Sequence, residues 1–104
     1  DGSVLALGEE YLNQVRVFEY SDGWNQIGNI TGDGEFGRAV SLSADGKVLA
    51  VGAPRASGFY GRVQVFGYDG TSWNSLGRPM QGIQPGENFG HAIEISNDGE
   101  RIAV

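Results

Sequence analysis

The sequence predicts an all-β fold made of short antiparallel strands, four to a sheet. An internal repeat is the first observation: the segment from Phe36 (FGRAVSLSADGKVLAVGAP) recurs from Phe89 (FGHAIEISNDGERIAV). Apolar and polar residues alternate within the repeats, as in half-buried strands, and no long window has the apolar spacing of a helix. Asp-Gly pairs and other glycine-rich turns bound these segments, which predicts hairpins between them.

The first 35 residues contain three predicted strands. The apolar run Val4-Leu5-Ala6-Leu7 suits a strand that is buried on both faces. A second strand includes Val15–Phe18, which recurs as Val63–Phe66, and a third begins at Trp24, which recurs as Trp73. Because the later copy has a further strand before the apolar run, residues 1–35 are interpreted as a partial unit.

Residues 36–82 form the one complete unit. Turns at Asp45-Gly46 and Asp69-Gly70 and a loop after Ala53 divide this unit into four strands. The strands are predicted over Phe36–Ser43, Lys47–Ala53, Gly61–Tyr68 and Trp73–Gly77. Residues 83–104 begin a third unit with two strands. Four antiparallel strands repeated at about 50 residues are typical of propeller blades, so the chain is predicted to hold about two blades of a larger propeller or assembly.

Aromatic residues recur at matching positions of the repeats. Such recurrence indicates a structural role, and these side chains are predicted to pack blade against blade. They are Phe18, Trp24, Phe36, Phe66, Trp73 and Phe89.

Several short motifs follow one another in the complete unit, and parts of the series recur at matching positions of the partial units. Phe-Gly opens a unit, Gly-Ala-Pro ends its second strand, and a Gly-Arg-Val-Gln-Val-Phe stretch forms its third. In this order they resemble the FG-GAP repeat of integrin-α-type β-propellers, over nearly the whole chain. The resemblance implies a propeller of several blades that is usually extracellular and serves adhesion or recognition without catalysis. The matching positions are Phe36-Gly37, Gly52-Ala53-Pro54, Gly61–Phe66, Trp73, Leu76-Gly77 and Phe89-Gly90, with Gly8-Glu9-Glu10 as a degenerate Gly-Ala-Pro.

The chain departs from the family where the family often binds Ca²⁺. That site lies between the first two strands of a blade and uses a run of alternating acidic residues. Here the corresponding turns contain one carboxylate each, Asp45 and Asp98. One carboxylate is too little for an ion that takes six to eight oxygen ligands. We therefore expect ordinary hairpin turns, no tightly held Ca²⁺ and no cofactor.

Composition and residue chemistry argue against several classes of function. The net charge is -6 and the seven basic residues are scattered, which disfavours nucleic acid as a partner. No apolar stretch is long enough to span a membrane. The chain has no cysteine, and its one histidine, His91, has no partner for metal binding or nucleophilic catalysis. The acidic pairs Glu9-Glu10 and Asp33/Glu35 are expected to be solvated loops, so the protein is predicted not to be an enzyme.

Two kinds of surface site remain. Tyr11 lies in the loop after the Val4–Leu7 strand, and Phe59 and Tyr60 lie in the equivalent loop after the Lys47–Ala53 strand. The two copies differ in length in this loop. These aromatic residues either contact a partner or a glycan, or fold back over the local core; the sequence leaves both alternatives open. Asn29-Ile30-Thr31 is an N-glycosylation sequon in a predicted loop, so Asn29 is expected to carry a glycan.

These observations favour an extracellular or cell-surface structural or adhesive module without catalytic activity. The alternative is a propeller module that binds a ligand or glycan through its variable loops. The predicted count of three, four and two strands leaves sheet edges and apolar faces uncovered. We therefore expect protein partners, either other copies or further blades of the same propeller or fibre, rather than a free monomer.

Overall fold

The computed structural model describes residues 3–56, 61–82, 94–95 and 102–103. It contains ten strands within these ranges and one turn of 3₁₀ helix, Glu10–Leu12. The strands are β1 (Val4–Glu9), β2 (Gln14–Tyr20), β3 (Trp24–Thr31), β4 (Ala39–Leu42), β5 (Val48–Ala53), β6 (Arg62–Tyr68), β7 (Trp73–Ser75), β8 (Met80–Gln81), β9 (Glu94–Ile95) and β10 (Ile102–Ala103).

The strands form open antiparallel sheets. The first sheet has the order β1-β2-β3, and the second has the order β4-β5-β6-β7 with β8 also paired to β6. A separate pair joins β9 to β10, and β9 lies against β4 and β5. The all-β, antiparallel prediction is therefore confirmed. Each hairpin joins strands that are consecutive in sequence, as the turn positions predict.

The second sheet contains a short strand, β8, that the sequence does not predict. Met80 of β8 pairs with Val63 of β6, just as Ile30 of β3 pairs with Val15 of β2. Since Val63 and Val15 are equivalent repeat positions, β7 and β8 together correspond to the single strand β3. The interruption between them includes Pro79, which has no backbone N–H to donate to the ladder.

The core lies between the first two sheets. Leu49 and Val51 of β5 and Phe66 of β6 belong to one cluster with Val15 and Val17 of β2. All of these side chains are buried. A core of this kind ties the two repeats together, since neither sheet alone covers its apolar face.

Phe36 and the glycine that follows it join the two sheets. The Phe36 ring is buried and meets the Phe66 ring edge-on, with 6.3 Å between the centroids. Gly37 lies directly against Gly8 near the end of β1: a Cβ on Gly8 would be 2.0 Å from the Gly37 carbonyl oxygen. The Phe-Gly of one repeat thus packs its backbone on the glycine that occupies the Gly-Ala-Pro position of the preceding repeat.

The β4–β5 hairpin uses its single carboxylate to hold the turn. The buried Ser43 hydroxyl donates to Asp45 Oδ1 at 2.7 Å, and the Lys47 N–H donates to the same oxygen at 2.9 Å. The hydrogen bond from Ser43, followed by that from Lys47, lowers the pKa of Asp45. Ser43 Oγ in turn accepts the Val48 N–H at 3.1 Å. The predicted hairpin turn is confirmed here; the equivalent Asp98 lies outside the described residues.

Candidate functional site

The first sheet has an exposed apolar side, turned away from the second sheet, which we call the outer face. Cross-strand pairs define it, because paired residues point to the same side of a sheet. Leu5 pairs with Phe18, Leu7 with Arg16, and Tyr20 with Trp24. The exposed fractions are 50% for Leu5, 41% for Leu7 and 54% for Trp24.

The equivalent residues of the second sheet are buried. Leu49 and Val51 occupy the positions in β5 that Leu5 and Leu7 occupy in β1. Their exposed fractions are 0% and 1%, because the first sheet covers them. The same strand positions are therefore apolar in both repeats, and they differ in whether another described sheet lies against them.

The two repeated tryptophans differ in the same way. Trp73 packs against the core and lies on Gly28 of β3, where a Cβ would be 2.5 Å from the indole Cδ1. Its buried Nε1–H has no hydrogen-bond acceptor among the described residues. Trp24 has no glycine to lie on in the described part of the chain. It instead meets Tyr20 edge-on, with 5.3 Å between the centroids.

The predicted blade-packing aromatics therefore fall into three groups. Phe36, Phe66 and Trp73 lie between the two sheets. Phe18 and Trp24 lie on the outer face of the first sheet. Phe89 lies outside the described residues.

Polar groups border the outer face at one end. The Arg16 guanidinium lies 5.5 Å from the centroid of the Phe18 ring. Glu9 holds this guanidinium in place by accepting from Nε at 3.0 Å and from Nη2 at 2.9 Å. The hydrogen bond from Arg16 lowers the pKa of Glu9, and a second one from Gln14 adds to it.

Asn29 lies in a strand, so the expectation that its sequon forms a loop is wrong. The residue is exposed in β3 and pairs with Arg16, which places it on the outer face. The sequon follows the start of the Trp24 strand in sequence, and the structure extends that strand to include it. In the structure β3 continues through Gly28, which pairs with Val17.

Tyr11 belongs to the second predicted surface site, the variable loops proposed to contact a partner or a glycan. It belongs to the 3₁₀ turn and is 88% exposed, so it does not fold back over the core. An open pocket of about 580 Å³ adjoins it. Phe59 and Tyr60 lie outside the described residues. The pocket is lined by Gly8, Glu9, Glu10, Tyr11, Leu12, Gly37 and Arg38.

The acidic residues near this pocket are paired with arginines. Arg38 Nε lies 3.3 Å from Glu10 Oε1, and its Nη1 lies 3.9 Å from Glu35 Oε1. Glu35 also meets Arg55 at 3.1 Å. The prediction of solvated acidic loops is wrong for Glu9, Glu10 and Glu35, whose side chains are only 20–24% exposed and pair with arginines. It holds for Asp33, whose side chain is 71% exposed.

Within ranges 3–56 and 61–82 no group of three or more acidic, histidine or cysteine side chains is placed to hold a metal ion. No helix in the described part of the chain has the length and apolar character needed to cross a bilayer. The chain matches no protein-family model and no curated protein sequence.

Proposed function

We propose that this chain is a structural or adhesive β-propeller segment whose sheets act as blades. In this proposal the module is non-catalytic and extracellular or at the cell surface, and it works by stacking onto further sheets. The resemblance to FG-GAP repeats and the sequon support the location. The antiparallel strand order and the sheet-to-sheet core support the blade architecture.

One observation carries the proposal: equivalent positions are buried in the second sheet and exposed in the first. Leu49 and Val51 are buried at these positions because a sheet lies against them. Leu5 and Leu7 present the same apolar surface without such a neighbour. Full burial of one leucine side chain contributes about 1.5–3 kcal/mol, so covering the outer face would stabilise an assembly substantially.

The neighbour would be another blade, from the same propeller or from another copy. Its contacting side should resemble the inner side of the first sheet, which carries Val15, Val17 and Gly28. Gly28 provides the flat site on which Trp73 lies. Trp24 would require a similar glycine on the neighbouring blade.

Sedimentation velocity tests the proposal. We expect the chain to associate at micromolar concentration and the double variant Leu5→Ser/Leu7→Ser to sediment as a folded monomer. Leu12→Ser is the control, because Leu12 is also exposed and apolar but lies on the 3₁₀ turn. A wild-type chain that stays monomeric and folded, or a double variant that associates like the wild type, would contradict the proposal.

A ligand- or glycan-binding module is the second candidate function. The specific observation in its favour is the exposed Tyr11 beside an open pocket with ion-paired carboxylates. An aromatic ring can stack on a sugar face while the acids accept hydrogen bonds from hydroxyl groups. A glycan array probed with wild type and Tyr11→Ala tests this candidate, and binding that is absent or unaffected by the substitution would contradict it.

A further inference from the structure

Six Asp-Gly pairs occur in this chain, and four of them lie fully within the described residues. They are Asp22-Gly23, Asp33-Gly34, Asp45-Gly46 and Asp69-Gly70. Among Asp-Xaa bonds, Asp-Gly is the most open to intramolecular attack of the backbone on the side chain, because glycine has no Cβ to hinder the approach. Local structure decides which of these pairs can react.

Three of the four aspartates have occupied carboxylates. Asp69 accepts hydrogen bonds from the Thr71 N–H at 2.9 Å and the Ser72 N–H at 2.8 Å. Asp33 Oδ1 lies 3.0 Å from Arg62 Nη1. Asp45 accepts from Ser43 and Lys47, as described above. Each of these contacts holds the carboxylate in place, and the hydrogen bonds to Asp45 and Asp69 also lower the pKa of those two groups.

The backbone of two of these pairs is also restrained. The Gly46 N–H donates to the Ser43 carbonyl at 2.9 Å. Gly34 is packed so tightly that a Cβ there would be 2.2 Å from the Ala56 nitrogen. Attack requires the glycine nitrogen to rotate toward the preceding carboxyl group, and both restraints oppose that rotation.

Asp22-Gly23 has none of these restraints. Asp22 is exposed in the β2–β3 hairpin with a φ of 58°, and Gly23 has a φ of 122°. Neither the Asp22 carboxylate nor the Gly23 N–H makes a hydrogen bond or ion pair within the described part of the chain. Nothing lies within 4 Å of a Cβ built on Gly23. The hydrogen bonds of this turn, from the Ser21 N–H at 2.8 Å and Asn25 Nδ2 at 3.1 Å, reach the Gly23 carbonyl oxygen and leave its nitrogen unrestrained.

We propose that, of the four described Asp-Gly pairs, Asp22-Gly23 is the site where this protein forms isoaspartate. The Gly23 nitrogen attacks Cγ of the protonated Asp22 carboxyl group, an N–Cγ bond forms, and a Cγ–O bond breaks with loss of water. Water then adds to the former backbone carbonyl of the resulting succinimide and breaks its bond to nitrogen. The chain now continues through Cγ, and the overall change in mass is zero.

The modification would alter the outer face. It inserts one methylene into the backbone between Tyr20 and Trp24, which pair across this hairpin. The shift would separate these two rings and move Trp24 away from its docking position. This consequence rests on the proposed stacking function, whereas the formation of isoaspartate does not.

Peptide mapping of the intact chain, aged for several weeks at neutral pH and body temperature, tests the proposal. Electron-based fragmentation distinguishes isoaspartate from aspartate at each site. We expect Asp22 to be the main site, with at least about tenfold less at Asp69, because each unit by which a pKa is lowered reduces the protonated fraction tenfold. Equal conversion at the four sites, no conversion at Asp22, or more at Asp33, Asp45 or Asp69 would overturn the proposal.

Two controls separate folding from sequence. In a denaturant the four sites should convert at similar rates, because the hydrogen bonds and packing that protect three of them are lost. Asp22→Ser should remove most of the signal from these four sites in the folded chain, whereas Asp69→Ser should leave it nearly unchanged. A ranking that persists in denaturant would show that flanking residues, rather than the fold, select Asp22.

Discussion

Close backbone contact at Gly8 restrains the packing of the first two sheets. A methyl group on Gly8 would meet a carbonyl oxygen, which belongs to Gly37 and cannot rotate away as a side chain could. The sheets would have to separate, and separation would also open the core around Val15 and Leu49. This contact explains why Phe-Gly and the preceding glycine recur together in the sequence.

We predict that Gly8→Ala destabilises the fold by about 3 kcal/mol, at the upper end of the cost of overpacking. Urea unfolding measures the change. Gly67→Ala is the matched control, since a Cβ there would meet only the Leu76 side chain, at 3.0 Å, and its backbone has no positive φ. A Gly8→Ala variant as stable as Gly67→Ala would contradict the close contact.

Asp69 gives the β6–β7 turn a dependence on pH. The hydrogen bonds from the backbone N–H groups of Ser72 and Thr71, in that order, hold the pKa of Asp69 far below its usual range. Because the folded pKa is lowered, the ionised group stabilises the fold fully above the unfolded value of about 3.9. That contribution is lost as the pH falls toward the folded pKa.

We predict that Asp69→Asn is less stable than wild type at neutral pH and that the difference shrinks below about pH 3.9. Asparagine keeps an acceptor oxygen but has no charge to strengthen the hydrogen bonds. Urea unfolding over a pH series measures the difference, and acidic residues common to both proteins cancel in it. A difference that stays constant or grows toward low pH would contradict this role.

Strands β1 and β5 are the same element in two environments. Both have the sequence pattern of a strand buried on both sides. Among the described strands, a sheet covers the Leu49 side of β5, whereas none covers the equivalent Leu5 side of β1. The sequence alone cannot distinguish them, because the difference lies in what surrounds the strand.

We predict that Leu49→Ala costs about 2–5 kcal/mol of stability, whereas Leu5→Ala costs about 1 kcal/mol or less in the monomer. The first substitution leaves a cavity between the sheets, and the second changes a half-exposed side chain. Urea unfolding of the dilute, monomeric variants compares the two. Equal costs would mean that Leu5 is already covered within the monomer.

Strand order and turn positions were predictable from the sequence, because alternation and Asp-Gly pairs are local signals. The sequence predicts a single fourth strand in the complete unit and not its division into β7 and β8, although Pro79 marks the break. The ion pairs between Glu10 and Arg38 and between Asp33 and Arg62 had no local signal. They join residues that are 28 and 29 positions apart (38−10 and 62−33) and meet only when the sheets pack. The exposure of Trp24 also had no local signal, since it depends on whether another sheet lies against it, and none of the described strands does.

At the scale of the whole molecule, two roles assigned to the first sheet compete for one surface. The outer face carries the apolar residues proposed to dock another blade. It also carries Asn29, the predicted glycan site, which pairs with Arg16 beside the Phe18 ring. A glycan at this position would project from the surface that a second sheet must approach. A copy glycosylated at Asn29 should therefore be unable to dock on this side.

We predict that a bulky group at position 29 blocks association. The chain has no cysteine, so Asn29→Cys can be coupled to a polyethylene glycol maleimide at a single site. The matched control is Tyr11→Cys with the same polymer, because Tyr11 is exposed but lies on the 3₁₀ turn rather than on the sheet. Sedimentation should show monomers for the first conjugate and wild-type association for the second. Association that survives the polymer at position 29 would place the interface elsewhere. In that case a glycan on Asn29 would not oppose assembly, and the intact mass of native material would show whether the glycan is present.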